Sequence, residues 1–217
     1  VLSNACKKLN DFPAISSSAV THGSLSATTD KPNIVLILGD DIGYEVPSSN
    51  GGQSYSTPNI DQMAANGMRF TQCHASPLCS PSRFMLMTGK YNFRNYSQWG
   101  VMNKNEKTIA NLLKDNGYKT YVGGKWQFDG GDQSIHSFGF DDYIVYLPFA
   151  RKNDNDEDGP RYKSPKLYEN GNYLADSLTL NKYSEDIVCD SIIHFITRNA
   201  GSGQPFFVQG DWDKLEG

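Results

Sequence analysis

One short run constrains this chain more than any other feature: Ile34-Val-Leu-Ile-Leu38, ending in Gly39-Asp40-Asp41-Ile42-Gly43. An unbroken stretch of branched apolar residues suits a strand covered on both faces, as in a parallel or mixed α/β sheet. Sheets of that kind present their ligands at the carboxyl ends of the strands. Two carboxylates therefore stand where the first strand opens into a loop.

The punctuation downstream alternates helix with strand. Thr57 reads as an N-cap and Pro58 as a first helical residue, with Ile60, Met63 and Ala64 as the buried stripe and Gly67 as a left-handed stop. Phe70 begins an extended piece. Ser80 as cap and Pro81 at the first position mark a second helix, ended by Gly89. Thr108 opens a third, with Ile109, Leu112 and Leu113 apolar and Gly117 as its stop. Tyr118 to Val122 predicts a strand running into Gly123-Gly124-Lys125-Trp126. Ser184 to Arg198 predicts a last helix with Val188, Ile192, Phe195 and Ile196 on one face, and Pro205 to Val208 another strand. This alternation predicts an α/β fold: a mixed, largely parallel central sheet flanked by helices. Residues 1–30, rich in Ser, Ala and Thr and without periodicity, read as a flexible leader or tether. The folded part is expected over 31–217.

Composition narrows the class. With 20 basic against 24 acidic residues, no broad electropositive face for nucleic acid is implied. No apolar run approaches membrane-spanning length. Cys6, Cys73, Cys79 and Cys189 fall at irregular spacing, neither a metal clip nor a disulfide framework. The small residues before Cys6 resemble the end of an export signal, which would make Cys6 a lipid-anchoring residue and the chain's only membrane link. An ordinary chain terminus accounts for them equally well. Asn95-Tyr96-Ser97 fits a glycosylation acceptor, a triplet common by chance. Asp154 to Asp158 reads as a solvated charged turn before it reads as a calcium loop.

The densest chemistry lies in Pro77-Leu-Cys79-Ser-Pro81-Ser-Arg83. It sets a thiol at the mouth of a helix, where free backbone N–H groups and the dipole favour an anion. Arg83 lies one turn further on and can face the same side as Cys79. Its guanidinium suits bidentate capture of an oxyanion. A lone cysteine is most often a small buried hydrophobe, but the Ser-Pro-Ser-Arg context argues against that here.

At these residues the chain resembles the type I sulfatases of the alkaline phosphatase superfamily. The resemblance rests on motifs in order: Asn33 to Asp41 with Gly43-Tyr44, Thr57-Pro-Asn-Ile-Asp61, Gly67-Met-Arg-Phe70 and Cys79-Ser-Pro-Ser-Arg83. Thr88-Gly89, Asn116-Gly-Tyr118, Gly124-Lys-Trp126 and Phe138-Gly-Phe-Asp141 continue the series. It is close over about residues 31–142 and looser beyond, so the chain reads as the N-terminal part of such a catalytic domain.

The resemblance implies a sulfuric ester hydrolase, an exported protein acting on a sulfated small molecule or glycan. It implies that a formylglycine-generating maturation enzyme oxidises Cys79 to the aldehyde formylglycine, with Pro81 and Arg83 in the recognition signal. A hydrated aldehyde carries two hydroxyls: one to attack sulfur, the other to collapse and expel sulfate, a release that a serine ester lacks. Asp40 and Asp41 match the family's first pair of metal-binding carboxylates, which with residue 79 would hold calcium or magnesium. Lys125 matches the family's sulfate-contacting lysine.

Two departures accompany these matches. Many members carry histidine two positions after that lysine, as a proton-transfer group; here Gln127 stands, which can hydrogen-bond but not titrate. None of His22, His74, His136 or His194 has motif support to replace it. The family's second Asp and Asn ligands, second lysine, leaving-group histidine and smaller C-terminal domain have no counterpart motifs here. Asp211 and Asp213 lie near a strand end without a motif to identify them. Two rival readings remain open: a phosphonate or phosphate ester hydrolase using a related site, and a non-catalytic sulfatase-like binding protein.

Overall fold

The computed structural model describes residues 31–149 and 160–212. The leader with Cys6 and His22, the Asp154–Asp158 turn, and Asp213 lie outside them. The order of elements is β1 (Ile34–Gly39), α1 (Pro58–Asn66), α2 (Cys79–Thr88), α3 (Asn92–Asn95), α4 (Ile109–Asp115), β2 (Lys119–Lys125) and α5 (Gly131–Ser137). There follow β3 (Asp142–Tyr146), β4 (Tyr168–Glu169), β5 (Asn172–Tyr173), α6 (Asp176–Thr179), α7 (Ser184–Asn199) and β6 (Phe206–Trp212).

The described strands form one six-stranded sheet in the order β1-β6-β2-β3-β4-β5. The first four are mutually parallel, and β4 and β5 add an antiparallel edge. The sheet is thus mixed and largely parallel, as the alternation of elements predicted. β6, last in the described chain, inserts between β1 and β2.

The two faces of the sheet can be read from the alternation of side chains along each strand. Val122, Tyr143, Val145 and Phe207 join one apolar cluster, with Phe84 and Met87 of α2, Ala110 of α4 and Ile135 of α5. Their neighbours Tyr121, Ile144, Tyr146, Phe206 and Val208 join the other, under Val188, Ile192 and Phe195 of α7. Each fully buried large side chain contributes about 1.5–3 kcal/mol relative to exposure. α7 sits close because β2 offers glycine: a Cβ at Gly123 would lie 2.9 Å from Ile192 Cδ1 and 3.1 Å from Val188 Cγ1.

Several expectations are corrected. β1 is not covered on both faces: it is an edge strand of alternating burial, with Val35 47% and Ile37 59% exposed. The α1 stripe is not buried either, since Ile60 and Met63 are exposed. Polar contacts hold this segment instead. Thr57 Oγ1 accepts from the Ser48 N–H at 2.9 Å, and Asp61 Oδ1 accepts from the Ser49 N–H at 2.7 Å. Gly67 ends α1 with extended backbone, not left-handed (φ −119°). No strand begins at Phe70, which is exposed. α2 starts one residue earlier than its proposed cap: Leu78 is the N-cap, and Pro81 sits inside the first turn. Pro is tolerated there because first-turn N–H groups have no intrahelical partner. Ser80 Oγ accepts instead from the Gly100 N–H at 3.2 Å.

Other signals hold. Thr108 caps α4 in a reciprocal box with Asn111, and its hydroxyl also donates to the Phe138 carbonyl at 2.6 Å. Gly89 and Gly117 take the left-handed conformation after their helices. β2 and β6 both run further than the sequence suggested, through Lys125 and Trp212.

Candidate active site

Three parallel strand ends and one helix converge on a chain of alternating charges. Asp40 follows β1, Lys125 ends β2, and Asp211 lies near the end of β6. Arg83 comes from the second turn of α2, four residues after Cys79, which begins that helix and is half-buried. Lys125 Nζ donates to Asp40 Oδ2 at 2.5 Å. Arg83 Nη2 reaches the same oxygen at 3.4 Å. Arg83 Nη1 donates to Asp211 Oδ2 at 2.7 Å and to the Lys125 carbonyl at 2.6 Å. The backbone N–H of Asp40 donates to the Trp212 carbonyl at 2.8 Å, fixing the first strand's exit.

Glycine makes the convergence possible. Gly124 has φ of +99°, and a Cβ there would lie 1.8 Å from the carbonyl oxygen of Asp211. Any side chain at 124 would part β2 from β6 just where Lys125 and Asp211 meet. The chain also takes left-handed backbone at Asp41 (φ 54°) and Gln127 (φ 58°), a cost of order 1–3 kcal/mol each that tends to persist at functional sites.

Burial and charge set the protonation of these groups. Burial alone would raise the Asp40 carboxyl, but the Lys125 hydrogen bond and the Arg83 charge outweigh it and hold it below the usual carboxylate range. Burial works to lower the Arg83 pKa, yet Asp211 and then Asp40 raise it above its ordinary value. Asp211 is pushed up by complete burial against the lowering pull of Arg83.

The arrangement brings together three of the sequence-proposed residues, Asp40, Arg83 and Lys125. Cys79 stands on the same helix as Arg83. Asp41 is exposed, beside Asp40 in sequence but in no ion pair among the described residues. Gln127 donates its backbone N–H to the Leu147 carbonyl at 3.1 Å, and its buried Oε1 has no hydrogen-bond partner among the described residues. The histidines stay apart: His74 is exposed, His136 binds the Phe140 carbonyl and Asp132 on α5, and His194 lies on α7. A surface cavity of about 590 Å³ holds His194 with Asp186 and Asp190, but no residue of the charged cluster. Asn95, the candidate glycosylation acceptor, spends its amide on Thr88 Oγ1 at 2.8 Å.

Arg83 differs from its expected open fork. It is 1% exposed, with Nη1 shared between two acceptors and Nη2 turned to Asp40. Asp211 and its neighbour Gln209, whose Nε2 donates to Asp211 Oδ2 at 3.2 Å, had no motif to mark them. Their signal was period: two polar residues on one face of the otherwise apolar Phe206-Phe-Val208 strand.

The donor set suits a hard divalent cation in kind but not in number. Asp40 and Asp41 are oxygen ligands, yet calcium takes six to eight oxygens. Among the described residues, no group of three or more His, Cys, Asp or Glu can hold a metal.

Fold and cluster together define an α/β domain that gathers charge at the carboxyl ends of parallel strands, beside a helix that starts on a cysteine. The family model described as Sulfatase matches residues 32–209. The chain is 32% identical over 215 residues to arylsulfatase G of Rattus norvegicus, covering 82% of this chain and 40% of that protein. It is 31% identical over 181 residues to an N-acetylglucosamine-6-O-sulfatase of Bacteroides thetaiotaomicron, covering 82% of this chain and 29% of that one. The crystal structure of Ps i-CgsB superposes with a TM-score of 0.73 at 26% identity, covering 86% of this chain and 46% of that one. The chain belongs to the sulfatase family, with its alkaline phosphatase-like α/β fold. It spans less than half the length of these relatives.

Proposed function

We propose that the protein to which this chain belongs hydrolyses sulfate esters, with residue 79 as the nucleophile after oxidation of Cys79 to formylglycine. One observation carries the reading: Asp40, Lys125 and Arg83 converge at strand ends beside the helix that begins on Cys79. Family membership adds to it. The hydrated aldehyde supplies both a nucleophile and a way to release sulfate.

The chain's own residues then divide the work. The first turn of α2 directs free N–H groups towards negative charge at residue 79. Lys125, held by Asp40 at the strand end, would donate another of its three N–H groups to a sulfate oxygen. Arg83 would anchor the end of β2 through the Lys125 carbonyl, with Asp40 as its longer contact. Gln127 takes the position of a proton-transfer histidine with a side chain that accepts and donates but does not titrate. Asp40, Asp41 and residue 79 would be this chain's contribution to a calcium or magnesium shell. The substrate class is a sulfated small molecule or glycan, and the route is the export pathway, where a formylglycine-generating enzyme acts. Residues 1–30 would serve as leader or tether, with Cys6 as a candidate lipid anchor. Among the described residues no helix is long and apolar enough to cross a membrane.

The test is turnover of matched aryl sulfate and aryl phosphate esters by the natural full-length protein, with the mass of residue 79 read from its peptide. An aldehyde mass and faster sulfate turnover are expected, and Cys79→Ala should lower that turnover by about 1,000-fold or more while the fold persists. Faster phosphate turnover would replace the assignment with a phosphoester hydrolase. An unmodified thiol with neither activity would leave a sulfatase-like binding protein.

A further inference from the structure

A buried carboxylate near the end of β6, one strand in from the β1 edge, calls for an explanation that the proposed chemistry does not provide. Asp211 lies on β6, the strand inserted between β1 and β2, in register with Leu38 on one side and Gly124 on the other. Its side chain is fully buried. Taking a carboxylate out of water costs several kcal/mol unless it is paired and hydrogen-bonded. An apolar residue there would pack the same strand at no such cost. What the carboxylate adds is its partner, Arg83.

The distances show how the cluster divides its charges. Arg83 Nη1 is 2.7 Å from Asp211, whereas Nη2 is 3.4 Å from Asp40. Lys125 Nζ, by contrast, is 2.5 Å from Asp40. The order Lys125, Asp40, Arg83, Asp211 alternates in sign, and each carboxylate has one short cationic partner. Without the charge at 211, Asp40 would be the one carboxylate left to two cations, and the guanidinium would be drawn towards it. Gln209 supports the division by donating to Asp211 Oδ2 from the same strand face.

We propose that Asp211 is a positioning residue: it holds the Arg83 guanidinium off Asp40, so that Asp40 stays paired with Lys125. The placement of Arg83 stands on geometry alone. Only the kinetic consequence rests on the sulfatase reading.

The experiment uses the full-length protein in four forms: wild type, Asp211→Asn, Arg83→Lys and the double variant. Aryl sulfate turnover is measured after the mass of residue 79 shows equal maturation. Asp211→Asn should lower kcat about tenfold with KM changed less than about twofold, and should add nothing in the Arg83→Lys background. An equal loss in both backgrounds would overturn the proposal, as would a change in kcat below about twofold. A second reading uses ¹⁵N spectra of the arginine side chains. Wild type should show a restrained Arg83 guanidinium with distinct Nη signals, and Asp211→Asn should show them averaged. Unchanged Arg83 signals would also defeat the idea. If Asp211→Asn fails to fold, the apolar pair Arg83→Met with Asp211→Leu restores a packed core. Folding without turnover in that pair is the expected result, and turnover retained there would sink the proposal. If wild type turns over no sulfate ester, the functional reading fails, while the Arg83 spectra still decide the role of Asp211.

Discussion

Gly124 and Lys125 are neighbours in sequence, yet the fold asks opposite things of them. Lys125 must carry a charge into a buried crevice, and 5% of it remains exposed. Gly124 must carry nothing, because the carbonyl of Asp211 occupies the space a Cβ would take. Gly124→Ala faces both a left-handed backbone and that collision, so it should destabilise the fold by at least about 2 kcal/mol. Urea denaturation measures this directly, and a midpoint within error of wild type would mean that β2 and β6 leave room for a side chain at 124. The Gly-Lys-Trp motif thus has a steric basis at its first residue and an electrostatic one at its second. Trp126, the third, is buried edge-on against Phe128 at 5.1 Å and lines the core beneath the site.

At the scale of elements, the Phe138-Gly-Phe-Asp141 motif acts as a joint between α4, α5 and the start of β2. Asp141 Oδ2 accepts from the backbone N–H and hydroxyl of Thr120, and Oδ1 pairs with Lys114 of α4 at 2.7 Å. Burial would raise this carboxyl, but the Lys114 and Thr120 hydrogen bonds outweigh it and hold it below the usual range. A depressed carboxylate stabilises the folded state above its unfolded pKa of about 3.9, and the contribution is lost as pH falls through the lower folded value. Wild type should therefore exceed Asp141→Asn in stability by about 1 kcal/mol or less at pH 7, the side chain being partly exposed. That gap should shrink as pH drops from about 4 towards 2. Denaturation curves at a series of pH values read the gap; one that widens on acidification would refute the assignment. Helix signals were legible at this scale where the cap is local, as at Thr108. They failed where a partner from elsewhere decided the outcome, as at Ser80, which Gly100 engages.

For the whole molecule, the inserted strand β6 is the organising event. It joins β1 to the rest of the sheet and brings the first carboxylate within reach of Lys125 and Arg83, 85 and 43 residues away. Among the described strands it also leaves β1 as an edge, with Val35 and Ile37 projecting from one exposed face. Unpaired edges with apolar side chains invite association. The 217-residue chain should self-associate at micromolar concentration, and Ile37→Lys should reduce its mass by light scattering without lowering its melting temperature by more than a few degrees. A wild-type chain that stays monomeric throughout that range would show that this edge is not adhesive.

The sequence by itself determined the α/β class, the strand-end positions of Asp40 and Lys125, and a helix whose mouth lies at Cys79. Each of these is written in local pattern: apolar runs, prolines, glycines and residue spacing. Tertiary structure alone decided that β1 is an edge, that the α1 stripe stays uncovered, and that Arg83 is a buried clamp between Asp40 and Asp211. These depend on which strands become neighbours, and strand order is set by contacts between residues far apart in the chain. Asp211 shows the difference most sharply. One acidic residue near a strand end reads like a solvated charge, until the sheet places it fully out of water with an arginine 128 positions away as its partner.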